Sequence, residues 1–429
     1  MQQAAPRAGF NHRERGNGDV VEIADTAVVR STSVIAGKRP QPAMASRDSA
    51  GFAPLAAVTA SQWHALAERA VEPNGYYLPD WELAVNASAR GRTGAWALGA
   101  WSEASSAPDG MARLIGLMPA ISMWRAYKIP LPALVSADPY GSLGTPPLDR
   151  DMAEDAATGL MREARKAGAH ALILRDVTLD GAAMKTFTEV LRLGGMRPIL
   201  LQSHLRAYLD ATRDAEELLR DALGPKKLKE LRRLRNRLDE HGEVRFEVAR
   251  TPQQIASAVE IFLTLEASGW KGQRGTALKQ HDGDAGFVRR ASTELAELGQ
   301  CEIVTLRAGD TPVAAAIVLR HQDRAFYFKL GVDERFAKFS PGVQLTLDLT
   351  RHLCADPDIA LVDSTANADH PMINPIWRGR LAIGDVLIPL RPRDPVVSLV
   401  HGVLRLRQSI REPLRRAAHF IRKRQEKSS

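Results

Sequence analysis

The chain contains only two cysteines, Cys301 and Cys354, in 429 residues. Both lie in apolar periodic segments, so we expect buried thiols of a reducing compartment and neither a disulfide nor a zinc site. Long apolar runs are missing too, and no stretch approaches the roughly twenty apolar residues that a membrane span requires. These absences exclude a disulfide-stapled secreted domain and a transmembrane protein. They predict a soluble or peripheral protein that needs no metal, with the cytoplasm as its default location.

The first fifty residues lack the sustained apolar segment of a secretory signal. They are rich in Ala, Arg, Gly and Ser, and we expect residues 1–51 to form a disordered extension. The whole chain is 45% hydrophobic, which suffices for the cores of two or three domains. Ordered structure is therefore predicted to begin near Phe52.

Positive charge is unevenly placed along a chain whose formal net charge is +8. It concentrates at Lys226 to Arg237 and again at Arg405 to Lys427, which favours an anionic partner. Neither cluster is interleaved with the aromatic residues that single-strand binders use. A nucleic-acid partner is therefore ranked below a carrier, a glycan or a lipid.

Residues 52–210 predict one mixed α/β unit. A helix capped by Thr59 is followed by two strands. A loop-rich segment, PLPALVSADPYGSLGTPPLD, then precedes a helix from Asp151 to Ala167. A strand, a helix from Gly181 to Leu193 and one more strand complete the unit.

Residues 211–242 predict a basic helix that links two units. Its leucines share one helical face, with Lys and Arg over the rest. The basic surface is either the solvated face of a packed helix or a wall of positive charge beside an anionic substrate.

Residues 243–392 predict a second unit. A strand, two helices and three antiparallel strands lead through the turn DERFAKFSPG into a helix from Val343 to Leu353, and the strands IALVD and LAIGDVLIPL follow. Because a helix N-terminus leaves backbone N–H groups unpaired, such a turn suits a diphosphate or another anionic group.

The tail, residues 393–429, is a basic amphipathic stretch interrupted by Pro413. It suits either the surface of an anionic bilayer, peripheral to the inner membrane, or packing of a terminal helix on its own domain.

Three segments of the second unit carry a family resemblance: LEASGWKGQRGTAL, FKLGVDERFAKFSPGVQL and DSTANADHPMINPIW. They resemble the cellulose-biosynthesis-associated acetyltransferases (CelD/BcsL type) of the GCN5-related N-acetyltransferase (GNAT) superfamily, with a FemAB-like tandem arrangement. The resemblance implies an α/β (α+β) fold of two tandem acetyltransferase-like domains, with mixed central sheets flanked by helices. It also implies acyl transfer from acetyl-CoA, or another acyl-CoA, to an amine or hydroxyl acceptor, in cellulose or exopolysaccharide synthesis.

The same resemblance places the donor's diphosphate on one turn. Its residues are Lys338, Phe339, Ser340, Gly342 and Val343. Gly342 stands alone where the superfamily's usual loop has a second small residue, so a carrier protein or an aminoacyl-tRNA remains an alternative donor. Two further readings stay open: a FemAB-like aminoacyltransferase acting on a cell-envelope precursor, and a non-catalytic peripheral binding protein.

Acyl transfer requires a group that takes a proton from the acceptor. His370 is the leading candidate for this base, and Asp363, at the end of the strand IALVD, either orients it or binds the acceptor. A packed loop histidine and a helix N-cap are the respective alternatives. Glu266, which follows the first helix of the second unit, is a third catalytic candidate.

Five further residues are candidates to bind the acceptor: Trp270, Lys271, Lys329, Asp369 and Trp377. Trp270 and Lys271 lie in a glycine-bracketed loop and are predicted to offer the acceptor an aromatic wall and a cation. The alternative for the Trp270 indole is a position in the core. Lys329 interrupts an apolar strand, so it faces either a partner or solvent. Trp377 is assigned to the acceptor through the resemblance.

Overall fold

The computed structural model describes residues 51–103, 112–269 and 275–425 of the protein. All of the predicted extension except Gly51 lies outside these residues. The strands of the described residues are β1 Phe52–Pro54, β2 Trp96–Trp101, β3 Leu114–Ser122, β4 Ala133–Ser136, β5 Ala171–Thr178, β6 Ile199–Asp210, β7 Val244–Ala249, β8 Cys301–Ala308, β9 Thr311–His321, β10 Arg324–Val332, β11 Leu361–Asp363 and β12 Gly379–Pro389.

The α-helices of the described residues are α1 Ala60–Glu68, α2 Pro79–Ser88, α3 Met123–Tyr127, α4 Ala153–Lys166, α5 Ala182–Leu193, α6 Ala215–Asp239, α7 Pro252–Ser268, α8 Asp282–Glu297, α9 Pro341–Cys354 and α10 Pro395–Gln425. Short 3-10 turns connect some of them, including Gly75–Tyr77 and Glu334–Phe339.

The strands form a single mixed sheet in the order β1-β2-β3-β4-β5-β12-β6-β11-β10-β9-β8-β7. Two neighbouring pairs are parallel, β4 with β5 and β10 with β11. The other pairs are antiparallel. Each half therefore contains the same unit, an antiparallel meander whose last strand is joined by a parallel fifth strand.

The two halves exchange strands at the centre of the sheet. β12, the last strand in the chain, lies between β5 and β6 and pairs with both. β6 in turn pairs with β11 of the second half. The order consequently reads as a palindrome about the β12–β6 pair, and neither half closes its own sheet without a strand from the other.

The predicted fold class, two α/β units with mixed sheets flanked by helices, is confirmed. What differs is that the two units share one continuous sheet. A large aromatic core joins them further, since Trp81 of α2 packs edge-on against both Phe287 of α8 and Phe328 of β10. Burial of such aromatic pairs is a major stabilising contribution.

Three local predictions are wrong. The loop-rich segment contains strand β4, whose core ALVS is too short to show an alternating pattern. Thr59 precedes α1 but bonds to the Gln62 side chain, with no side-chain bond to the backbone of the helix. The predicted interruption at Pro413 is also incorrect, because α10 continues to Gln425.

The linking helix α6 is broken rather than straight. Gly224 has a left-handed φ of 69°, and Pro225 follows it, so two helical segments meet there. The second segment packs beside α9, where the Gln344 side chain donates to the carbonyl of Leu231.

The start of the tail helix packs on strands of both halves. Val397, Val400 and Leu404 of α10 are buried in a cluster with side chains of β4, β5 and β12. Further along, Leu406 and Ile410 are exposed. Among the described residues, no helix combines the length and apolarity needed to cross a membrane.

Candidate functional site

The parallel strands β10 and β11 form a fork in the second half. They pair over only three residues, from Arg324 with Leu361 to Phe326 with Asp363. β10 then continues to Val332 beside β9, with a bulge between Tyr327 and Lys329, whereas β11 ends at Asp363. The sheet is therefore open between the two strands beyond this point.

Helix α9 begins at the far end of β10. Ser340, its N-cap, has a left-handed φ of 55°, and Pro341 occupies the first helical position. Gly342 is packed tightly: a β-carbon there would lie 2.9 Å from Leu330 and 3.2 Å from Val332. A larger residue here would have to displace the end of the Leu330 side chain, so packing of α9 on β10 favours glycine independently of any ligand.

The residues predicted to hold the donor differ in burial: some belong to the core and others lie at the surface. Phe339 is buried in the core of the second half, with the Lys338 ammonium 4.9 Å and the Arg237 guanidinium 5.6 Å from its ring centroid. Lys338 is exposed, and Ser340 and Val343 are half-buried. The structure therefore places two cations, Lys338 and Arg237, close to the start of α9.

Asp363 is engaged in a buried ion pair. Its Oδ2 accepts a hydrogen bond from Arg206 Nη1 at 3.2 Å, and both side chains are 1% exposed. Its Oδ1 accepts from the backbone N–H of Thr365. Thr365 in turn donates to the carbonyl of Tyr327, which ties the end of β11 to β10 at the mouth of the fork.

Glu266 and Lys329 come together on the opposite side of β10 from Tyr327. The Lys329 Nζ lies 4.0 Å from Glu266 Oε1, and both side chains are buried. Glu266 Oε2 accepts from the N–H of Leu278 at 2.8 Å. The bulge in β10 turns Lys329 toward this side, so the lysine does not face solvent.

The first half contributes residues of two loops that sequence reasoning missed, one after α2 and one after β4. The Lys329 Nζ lies 5.4 Å from the ring centroid of Tyr140, and the guanidinium of Arg92 lies 4.0 Å from the same centroid. Arg92 also pairs with Asp138 at 3.0 Å. Burial raises the pKa of the Tyr140 phenol, and Asp284 raises it further. Asp138 and Tyr140 lie in the segment that was predicted to be loop-rich, and no sequence pattern singles out Arg92.

The histidine of the candidate site lies in the segment that follows β11. His370 is 2% exposed, and its Nδ1 accepts from the N–H of Ile373 at 3.2 Å. Asp369 is exposed, with a left-handed φ of 56°. Trp377 is a core residue: its Nε1 donates to Thr350 of α9, and its ring lies 5.8 Å from Tyr327. The Trp377 indole therefore has almost no exposed surface with which to contact an acceptor.

Trp270 and Lys271 lie outside the described residues. Within the described residues, no group of three or more His, Cys, Asp or Glu side chains is arranged to hold a metal ion. Cys301 is buried, as expected, and burial raises its pKa to about 12, whereas Cys354 is half-buried.

Residues 225–370 match a family model described as acetyltransferase (GNAT) domain. This range contains α7 to α9, the fork between β10 and β11, and His370. The chain has no significant sequence match to a curated protein. An acetyltransferase (GNAT) type domain is thus present in the second half.

The fold resembles solved structures at low sequence identity. FemX is 12% identical, with a TM-score of 0.52 over 80% of this chain and 98% of that one. L-PGS from Bacillus licheniformis is 13% identical, with a TM-score of 0.43 over 72% and 88%. A tandem GNAT protein from the clavulanic acid biosynthesis pathway is 15% identical, with a TM-score of 0.34 over 80% and 99%. At 12% identity the FemX likeness concerns the fold alone.

Proposed function

We propose that the protein is an acyltransferase whose reaction takes place at the fork between β10 and β11. The observation that carries the proposal is the fork itself: two parallel strands separate after three residue pairs, inside the range that matches the acetyltransferase model, and a helix begins at the far end of one of them. Such a gap gives an extended thioester a path between the strands.

The donor's phosphate end is assigned to the first turn of α9. Its free backbone N–H groups favour an anion, and Lys338 adds an exposed positive charge. Acetyl-CoA, or another acyl-CoA, is the donor we propose, with an amine or a hydroxyl as the acceptor. Because packing against Leu330 also favours glycine at this position, the presence of Gly342 alone does not argue for a phosphate.

Transfer requires the acceptor to lose a proton as its nitrogen or oxygen attacks the thioester carbonyl, and the departing thiolate to gain one. Glu266 and His370 are the candidate bases. We assign Lys329, beside Glu266, to the acceptor or to the developing oxyanion. Asp363, already bonded to Arg206, is assigned to hold the end of β11 in place.

Donor binding is tested by the shift that acetyl-CoA causes in the thermal unfolding midpoint, with 3′-dephospho-CoA as a comparison ligand. We expect a saturable rise that Lys338→Glu reduces at least threefold in apparent affinity, because the charge beside the phosphates is reversed. Lys185→Glu, at an exposed position on α5, is the matched control and should bind normally. No shift at millimolar acetyl-CoA would contradict a CoA donor.

The bases are distinguished by Glu266→Gln and His370→Gln. Loss of a general base lowers the rate by roughly 10²–10⁴-fold. We expect that loss in the variant that lacks the true base, with an unchanged midpoint shift by acetyl-CoA, measured as thiol release with a panel of amines and sugars. If both variants turn over normally, neither residue is the base.

An aminoacyl donor carried on RNA is the second candidate, in line with the FemAB-like alternative. Six exposed cations of α6 favour it, because this helix packs beside α9 near the proposed donor site. They are Lys226, Lys227, Lys229, Arg232, Arg233 and Arg237. A polyanionic donor should bind with a steep salt dependence that reversal of Arg232 and Arg233 reduces, whereas acetyl-CoA binding should be unaffected by that reversal.

The proposal extends to the pathway and the location. Cellulose or exopolysaccharide synthesis depends on the family resemblance alone. A peripheral position on an anionic membrane depends on the charges of the tail, and liposome flotation of the full chain against a chain lacking residues 411–429 tests it. This deletion spares the buried part of α10. Unchanged flotation would exclude the tail as the anchor.

A further inference from the structure

A groove of about 770 Å³ runs between the two halves, apart from the proposed donor site at α9. It is lined where β10 and β11 begin, by Arg324 and Leu361, whereas the donor fork opens where β11 ends. The first half contributes Glu72, Thr178 and the start of α5. None of the residues assigned above to acyl transfer lines this groove.

Three lining residues each hold a buried polar atom that lacks a hydrogen-bond partner: Oε1 of Glu72, Oγ1 of Thr178 and Nε of Arg324. Glu72 is 4% exposed and Thr178 is 7% exposed. The other oxygen of Glu72 accepts from the N–H of Ala183 in the first turn of α5. Buried polar atoms are nearly always paired in folded proteins, so three such atoms in one groove point to a ligand.

The separation of Glu72 and Arg324 indicates the kind of group that fits between them. Arg324 Nη1 lies 3.7 Å from Glu72 Oε1, too far for a hydrogen bond. A hydroxyl group can donate to the carboxylate and accept from the guanidinium at the same time. The hydroxyl of Thr178 is a third group to which a ligand hydroxyl can hydrogen-bond.

Three arginines and three carboxylates line the groove, with Asp180 and Asp323 exposed beside Glu72. Two of the arginines, Arg150 and Arg380, bond to backbone carbonyls instead of carboxylates. Arg380 donates to the carbonyls of Trp377, Gly379 and Asn374, and Arg150 donates to those of Glu68 and Arg69. Carbonyl partners hold these guanidinium groups in place and leave their charge available. Tyr208 adds an aromatic side chain to the lining.

We infer that this groove binds a hydroxyl-rich anion, such as a sugar acid or a sugar phosphate. The hydroxyls pair with Glu72, Thr178 and Arg324, and the anionic group lies near Arg380 and Arg150. The inference is independent of the proposed acyl transfer, since it concerns a second site and its test measures binding alone.

The experiment is isothermal titration calorimetry of the full chain with glucuronate, glucose 6-phosphate, glucose and inorganic phosphate. We expect saturable binding of at least one sugar anion, with glucose and phosphate alone each at least tenfold weaker. The two sugar anions distinguish a carboxylate from a phosphate as the charged group.

Two variants place the binding in the groove. Arg380→Gln, at an exposed position, should weaken the sugar anion about tenfold, and Thr178→Val, which keeps the side-chain shape, about fivefold, as expected for the loss of one charged and one neutral partner. Arg192→Gln, on the exposed surface of α5, should leave binding unchanged. Unaltered thermal midpoints confirm that the variants are folded.

Two results would overturn the inference. One is the absence of saturable binding of either sugar anion at millimolar concentration, which would leave bridging water as the partner of Glu72 and Arg324. The other is binding that inorganic phosphate matches or that Arg380→Gln and Thr178→Val do not weaken.

Discussion

Asp363 is a candidate for a catalytic role, but its surroundings favour a structural one. The carboxylate and its partner Arg206 are both almost completely buried, and Arg206 also donates to the carbonyl of Ser142 in the first half. The ion pair therefore connects β11 of the second half with β6 and with the loop that contains Ser142, both of the first half. A side chain held in this way stabilises the fork without needing to touch a substrate.

Asp363→Ala should destabilise the protein strongly. It leaves the Arg206 charge buried without its carboxylate, a change that typically costs about 3–5 kcal/mol in the free energy of unfolding. Urea unfolding monitored by tryptophan fluorescence measures it. Glu260→Ala, which removes an exposed ion pair with Arg289, is the control and should cost at most about 1 kcal/mol. Equal effects of the two substitutions would contradict the structural role.

His321 joins the halves through two backbone hydrogen bonds. Its Nδ1 accepts from the N–H of Asn74 at 2.9 Å, and its Nε2 lies 3.0 Å from the carbonyl of Ala67. This arrangement requires a neutral ring, with the proton on Nε2. Burial lowers the pKa of His321 to about 4.

The stability should therefore depend on pH through His321. Between about pH 6.5, the usual histidine pKa, and pH 4, the unfolded chain takes up a proton that the folded chain does not. Stability is lost as the pH falls through this window, by about 3 kcal/mol in total. Urea unfolding at pH 7.5, 5.5 and 4 should show this loss relative to His321→Asn. A constant difference between the two proteins would argue against a neutral buried ring.

At the scale of elements, the exchange of β6 and β12 makes the halves mutually dependent. A fragment of residues 51–242 lacks β12, which leaves β5 and β6 without their shared neighbour. A fragment of residues 243–425 lacks β6, so β11 and β12 lose the strand that pairs with both. Unpaired edges of this kind promote aggregation.

We expect neither fragment to unfold cooperatively alone, and the two to regain a single transition when they are expressed together. Circular dichroism and size-exclusion chromatography report this outcome. A full chain cut by protease between α6 and β7 after folding serves as control and should remain associated. Independent folding of either fragment would contradict the exchange.

Most elements are predictable from sequence because their patterns are local. The helices that became α4 and α5 show apolar periodicity and clear ends, and their predicted bounds agree within a few residues. β4 is not predictable in this way, since ALVS is too short to alternate. The position of β12 is not predictable either, because its apolar pattern fits any central strand of a sheet.

The candidate site is predictable only in part, for a related reason. Glu266 and Lys329 were both selected from sequence, and the structure brings them together. Arg206, however, lies 157 positions before Asp363, and no local pattern connects the two. Trp377 was assigned to the acceptor, but burial against α9 decides its position. Long-range partners follow from the order of strands, which the sequence alone leaves open.

At the scale of the whole molecule, the two halves have the same strand arrangement but different surroundings. The fork of the second half lies within the range that matches the acetyltransferase model. The groove between the halves, lined by Glu72 and Arg324, is a separate feature at the other end of the β10–β11 pair. The two proposals therefore assign two separate binding sites to one sheet.

Binding of the donor at the fork is tested most directly by amide hydrogen exchange of the full chain with and without saturating acetyl-CoA. We expect slower exchange confined to the second half of β10, the turn at Lys338 and the first turn of α9, since the donor covers these N–H groups. Exchange in the groove that contains Glu72 should be unchanged. Protection elsewhere, or none at a concentration that saturates binding, would contradict acyl transfer at the fork.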